Sequence, residues 1–239
     1  MSTAVVPPSA PASAAPAAAA ISLPRINDPA PQFTAPSTHG ELSLSSYKGK
    51  WVVLFSHPAD FTPVCSTEFI AFAKAAEDFA RLGTQLIGLS IDSVYSHIAW
   101  VRAIEEKFKV TITFPVIADL STKVAQAYGL IHPGASLTAT VRAVFVIDPA
   151  QNVRAIIYYP LTTGRSVAEI LRLVQALQAN ADKSLATPEG WQPGDAYIVP
   201  PPTTQADAEK RVNSQYDVTD WWFSKVKASD VPVKAGSTA

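Results

Sequence analysis

The sequence predicts an α/β domain in which helices are layered on a central sheet. Three observations carry that prediction. From Gln32 onward, apolar strand-like runs alternate with helix-like runs. The chain has 239 residues, 48% of them hydrophobic, enough for one domain with a substantial core and some additions. Acidic and basic residues nearly balance, 20 against 19, with no basic run, so neither nucleic acid nor an anionic membrane is an implied partner.

The elements follow in order. Trp51–Ser56 is a continuous apolar run and reads as a buried strand. A helix over Glu68–Arg81 is predicted by Phe69, Phe72, Ala73, Ala76, Phe79 and Ala80, which share one face. Lys74, Glu77, Asp78 and Arg81 fall mostly off that face, and Gly83 is a stop signal. Strands are then expected at Gln85–Ile91, Phe114–Ile117, Arg142–Ile147 and Val153–Tyr159. Helices are expected at Val94–Phe108, Thr122–Tyr128 and Val167–Ala179, with Ser93 and Ser166 as N-caps.

Three regions are expected. Residues 1–24 are rich in Ala, Pro and Ser and read as a disordered, flexible extension. Their longest apolar stretch, residues 17–23, is too short to span a membrane. They lack the basic start of a secretory signal and any arginine before Arg25. Residues 25–180 form the α/β domain. Residues 181–239 form a C-terminal arm, largely extended, with one short helix over residues 204–212. Its cluster Asp220-Trp221-Trp222-Phe223 is too apolar to sit comfortably in water and wants a covering surface, its own domain or a second subunit.

Cys65 is the only cysteine, in the run His57-Pro58-Ala59-Asp60-Phe61-Thr62-Pro63-Val64-Cys65 between the first strand and the first helix. A thiol in a helix's first turn faces unpaired N–H groups and the positive end of the dipole. That setting favours a reactive thiolate over an inert buried cysteine. Pro58 and Pro63 stiffen the approach, and Thr62 is placed to reach the sulfur. A single cysteine excludes a dithiol motif and a disulfide framework, and fits a reducing compartment such as the cytoplasm. The four histidines, His39, His57, His97 and His132, show no metal-ligand spacing, so no metal site is expected.

Pro58-x-x-x-Thr62-x-x-Cys65 resembles the active-site signature of the peroxiredoxins. The fuller His57-to-Cys65 string is similar to their single-cysteine branch. Arg142 to Pro149 resembles the strand bearing the family's active-site arginine. Tyr159-Pro160-x-Thr162-Thr163-Gly164-Arg165 and Asn27 to Phe33 resemble further family blocks, in the family's order. The resemblance implies a thioredoxin-like fold and a catalytic set of Pro58, Thr62, Cys65 and Arg142. It implies reduction of hydroperoxides to water or alcohol through a Cys65 sulfenic acid, with no cofactor. It also implies an arm packed on a partner protomer, hence a homodimer or higher homo-oligomer. Where some relatives carry resolving cysteines, this chain has Val218 and Ser224, so an external thiol (glutathione, a thioredoxin or similar) is the expected reductant. The serine, histidine and aspartate linked to phospholipase activity in some relatives are replaced by Lys50, Leu44 and Ala150.

Three supporting residues are expected near the chemistry. His57 either supplies a positive charge and orients the loop or anchors the loop by hydrogen bonds. Arg165 is either a second cation at the site or a carboxylate partner. Glu68 is placed to hold either arginine. A peroxide sensor or redox-switched holdase using the same cysteine is the alternative expectation.

Overall fold

The computed structural model describes residues 23–181 and 184–231. The extension expected over residues 1–24 therefore lies almost wholly outside the described residues. A seven-stranded mixed sheet forms the centre. In chain order its strands are β1 (Thr34–Ser37), β2 (Gly40–Ser43), β3 (Trp51–Ser56), β4 (Thr84–Ser90), β5 (Val116–Ala118), β6 (Arg142–Ile147) and β7 (Val153–Tyr159), in spatial order β2-β1-β5-β4-β3-β6-β7. β3, β4 and β5 run parallel, while β6 pairs antiparallel with β3 and β7 with β6.

β3 is buried along its whole length because both sheet faces are covered. Its odd-numbered residues Trp51, Val53 and Phe55 enter a core built with α1 (Pro63–Arg81), α2 (Val94–Phe108) and α4 (Val167–Ala181). Its even-numbered residues Val52 and Leu54 enter a second core, with α3 (Lys123–Ala127), Tyr128 and the segment around Ala30–Leu44. This is the period-2 alternation of a strand. Gly88 in β4 lets the sheet and α1 pack closely, since a Cβ there would meet the Phe69 ring at 3.1 Å.

Several boundaries differ from the sequence expectation. α1 starts at Pro63, five residues before Glu68, because proline suits the first helical position and Thr62 is extended at the N-cap. It ends where expected, with Gly83 in the left-handed conformation (φ +60°). The expected helix 122–128 shrinks to Lys123–Ala127, with Thr122 itself left-handed at the N-cap. The short strands β1 and β2, four residues each, lack a long apolar run and are not foreseen.

The arm is more regular than extended chain. β8 (Tyr197–Val199), β9 (Asp217–Asp220) and β10 (Phe223–Val226) form a separate antiparallel sheet in the order β8-β10-β9, and α5 (Gln205–Val212) is capped by Thr204. Trp191 and Tyr197 pack on Ala176 of α4. Trp221 and Trp222, at the tip of the β9–β10 hairpin, stay 42% and 54% exposed. Among the described residues, no helix is long and apolar enough to cross a membrane.

Candidate active site

The site lies where β3 ends and α1 begins. β3 delivers the chain to His57, whose N–H donates to the Leu89 carbonyl (2.9 Å) and whose carbonyl accepts from the Thr140 hydroxyl (2.7 Å). The loop then runs through Phe61, which is left-handed (φ +55°), unusual for a bulky residue and a sign that its surroundings hold it there. Cys65 falls at the third position of α1, fully buried. With proline at the first position, the helix start leaves the N–H groups of Val64 and Cys65 without intrahelical partners. The first-turn placement expected for the thiol is thus met.

Arg142 comes from the first position of β6, a central strand, so its guanidinium is buried rather than at a solvent edge. Its Nη1 donates to Cys65 Sγ (3.2 Å) and to Glu68 Oε2 (2.8 Å). Its Nε and Nη2 both donate to the Leu161 carbonyl, at 3.1 and 2.9 Å. The Glu68 and Leu161 contacts fix the guanidinium with an Nη1–H directed at the sulfur.

Glu68, one helical turn after Cys65, holds both arginines. Its Oε1 accepts from the Arg165 backbone N–H (2.8 Å) and Nε (2.9 Å), and its Oε2 from Arg165 Nη2 (2.8 Å). Arg165 also donates to the Ser56 and Ala143 carbonyls (2.8 and 2.9 Å), with its guanidinium over the rings of Phe55 and Phe72. Arg165 is therefore Glu68's partner and not a free cation beside the sulfur. Burial alone pushes the Glu68 carboxyl up, but the hydrogen bonds and charge of Arg165, then the charge of Arg142, outweigh it and hold the group below its ordinary range.

The structure narrows two open expectations to one alternative each. Thr62 spends its hydroxyl proton on the Ala59 carbonyl (2.9 Å), so toward a ligand its oxygen is an acceptor. His57 is buried, and burial pushes its imidazole below the ordinary value despite the neighbouring Asp60, so it is a neutral anchor rather than a positive charge. Pro58 stands between His57 and the loop apex, in the segment that the expected set requires.

Sequence reasoning missed a network behind the loop. Asp60 accepts from His57 Nε2 (2.8 Å) and meets His97 Nδ1 at 2.8 Å, while His97 Nε2 contacts the Ile117 carbonyl at 3.1 Å. His57, Asp60 and His97 form, among the described residues, a cluster of metal-ligating type that their spacing in sequence concealed. Here direct hydrogen bonds link the three groups, and the fit is that of a proton-bridged network. The available signal was Asp60, three residues after His57, and a histidine on the apolar face of α2 with Trp100 and Ile104.

A helix-start thiol fixed beside a buried guanidinium, on a mixed sheet of this topology, defines a thiol-dependent enzyme of thioredoxin-like fold. The sequence pattern of the AhpC/TSA family matches residues 26–156, and that of the C-terminal domain of 1-Cys peroxiredoxin matches residues 176–215. A peroxiredoxin of Aquifex aeolicus is 54% identical over 218 residues, covering 87% of this chain and 98% of that one. A peroxiredoxin of Thermoplasma volcanium is 56% identical over 198 residues, covering 83% and 96%. The structure of yeast mitochondrial 1-Cys peroxiredoxin superposes with a TM-score of 0.75 at 39% identity, covering 85% of this chain and 99% of that one. The chain belongs to the peroxiredoxin family, in its single-cysteine branch, and is a thiol-dependent peroxidase.

Proposed function

We propose that Cys65 is the nucleophile and that Pro58, Thr62 and Arg142 complete the catalytic set. The observation that carries this reading is the guanidinium of Arg142, held against the only thiol of the chain by Glu68 and Leu161. The Cys65 thiolate attacks the terminal oxygen of a hydroperoxide. An S–O bond forms, the O–O bond breaks, and the leaving alkoxide or hydroxide takes a proton from water. Cys65 is left as sulfenic acid. Negative charge spreads over sulfur and both oxygens in the transition state. Arg142 and the helix-start N–H groups are donors already in place for that charge. The Thr62 oxygen accepts from the hydroperoxide O–H and lines the O–O bond up with the sulfur. Pro58 shields the thiolate from water.

An external thiol regenerates the enzyme, since the chain has no second cysteine. The yeast relative's thiol resolving mechanism runs via glutathione and thioredoxin systems, and either class suits this site. Cys65 is 0% exposed, so the loop must open before such a thiol can reach the sulfur. A reducing compartment, the cytoplasm, suits this chemistry. The same reading takes residues 25–180 as the peroxidase domain and residues 181–239 as a dimerisation arm, supported by the uncovered Trp221 and Trp222.

The test is Cys65→Ser, which is expected to abolish peroxide consumption in the presence of dithiothreitol. Thiol-dependent turnover surviving in a metal-free preparation of that variant overturns the assignment. Excess peroxide without thiol is expected to add oxygens to the Cys65 peptide in the mass spectrum. A Cys65–Cys65 disulfide between protomers, forming as fast as peroxide is consumed, overturns the external-thiol route.

A further inference from the structure

We propose that His97, acting through Asp60, is a positioning residue that latches the loop 57–62 closed around Cys65, its ring carrying protons on both nitrogens. This rests on the reading above only in that the loop opens for the reductant. The hydrogen bonds fix the protons. The Ile117 carbonyl can only accept, so His97 Nε2 carries a hydrogen. His97 Nδ1 stands 2.8 Å from Asp60 Oδ2 and 3.0 Å from Oδ1, too close for facing lone pairs, so a proton lies between them. Asp60 accepts at both carboxylate oxygens, from His57 and His97, which places the shared proton on the ring; burial alone pushes the Asp60 carboxyl up, but these hydrogen bonds outweigh it and hold the group below its ordinary range. Asp60 is thus a carboxylate, His97 an imidazolium, and His57 the neutral Nε2–H form. His57 Nδ1 is buried with no partner. The other charged group at this corner is Asp92, whose Oδ2 accepts from the Asp60 N–H (3.1 Å) and the Ser90 hydroxyl.

The placement makes this pair a latch. Asp60 belongs to the loop. His97 belongs to α2 and is tied to β5, so its position does not depend on the loop. One turn further along α2, Trp100 Nε1 donates to the Ser66 hydroxyl (3.2 Å), which donates to the Thr62 carbonyl (2.9 Å). One face of α2 therefore grips both flanks of the loop. The closed loop is what peroxide attack needs, and the open loop is what the reductant needs. Loss of the latch must favour one half-reaction at the expense of the other. In the second half-reaction a monothiol displaces the sulfenic hydroxyl as water and leaves a mixed disulfide on Cys65. A second monothiol then attacks the first one's sulfur, the two leave as their own disulfide, and Cys65 is released as a thiol.

The experiment measures the two half-reactions separately in single turnover, with hydrogen peroxide and with a small aromatic monothiol. In His97→Leu, peroxide attack is expected to slow about tenfold or more, as for a misplaced reacting group. Attack of the monothiol on the sulfenic acid is expected to quicken about fivefold. His97→Asn keeps an N–H toward Asp60 and is expected to recover most of the peroxide rate. Parallel slowing of both half-reactions, or no change in either, overturns the latch. Resting wild-type protein gives a readout that needs no variant to fold. Its ¹⁵N ring spectrum at neutral pH is expected to show His97 protonated at both nitrogens and His57 only at Nε2. A neutral His97 ring overturns the proposal. An inert wild-type thiol, by contrast, overturns the peroxidase mechanism and leaves the ring result to stand by itself.

Discussion

The corner around Cys65 and the tip of the C-terminal arm invert each other's chemistry. At the corner, charged groups are buried and almost completely partnered: Glu68, Arg142 and Arg165 share hydrogen bonds with one another and with three backbone carbonyls. At the tip, large apolar groups are exposed: Trp221 and Trp222 stand clear of their own domain. A buried polar network is costly to assemble and specifies one geometry, which suits a site that must aim a guanidinium at a sulfur. An exposed indole pair specifies nothing alone and gains by being covered. One region is complete within the chain, and the other is the surface that the proposed dimer would cover.

Each side of that contrast can be broken. The largest effect is expected from Glu68→Ala, which leaves Arg142 and Arg165 buried without their shared carboxylate. Removing one partner of a buried pair costs about 3–5 kcal/mol, so chemical denaturation is expected to show a large loss of stability together with a collapse in peroxide rate. A stability within about 0.5 kcal/mol of wild type would mean that the network is not the keystone of the corner. Arg142→Ala comes next. Loss of a charge-assisted donor is worth roughly 1.5–3 kcal/mol, so peroxide attack is expected to slow about ten- to a hundredfold, read by single-turnover kinetics. An unchanged rate would show that Arg142 only packs.

Acid sharpens the contrast. Glu68 and Asp60 titrate below their ordinary values of 4.5 and 3.8 in the folded protein. Below those values the unfolded chain binds more protons than the folded one. Their stabilisation is therefore full above about pH 4.5 and is lost as pH falls from there. The denaturation midpoint is expected to drop steeply in that window, and Glu68→Gln to make the drop shallower. Truncation after Pro202 removes the hairpin and is expected to leave that acid slope in place. Its own effect is on assembly: sedimentation is expected to shift from a dimer or larger species toward monomer. If the truncated chain sediments as wild type less the lost mass, the arm does not join protomers.

What the sequence disclosed divides along the same line. Cys65, Thr62 and Glu68 are local, placed by one loop and one helix start, so spacing and turn chemistry brought them to notice. Arg142 and Arg165 lie 77 and 97 residues from their partners Cys65 and Glu68, and only the family resemblance placed them before the fold did. His97 was dismissed because its partner Asp60 is 37 residues away on another element, and no local period marks such a pair. β1 and β2 escape because four-residue strands carry too short a pattern. The arm's strands escaped because β9, Asp217-Val218-Thr219-Asp220, is polar and mostly exposed, and is defined by its neighbour β10 rather than by its own residues.

Trp100 gives the molecule an optical gauge of its own sulfur. Its indole donates to Ser66, the residue after Cys65, and lies 4.5 Å from the Phe69 ring and 5.1 Å from that of His57, centroid to centroid. Any change at the start of α1 alters the polarity and hydrogen bonding that this fluorophore senses. Trp221 and Trp222 report from the opposite extreme, half-exposed at the arm's tip in the single protomer. A water-soluble quencher such as iodide darkens those two while sparing the sheltered Trp100. The residual emission then comes from the buried Trp51, Trp100 and Trp191, and the part of it that changes as the loop opens is the signal of Trp100, hydrogen-bonded beside Cys65.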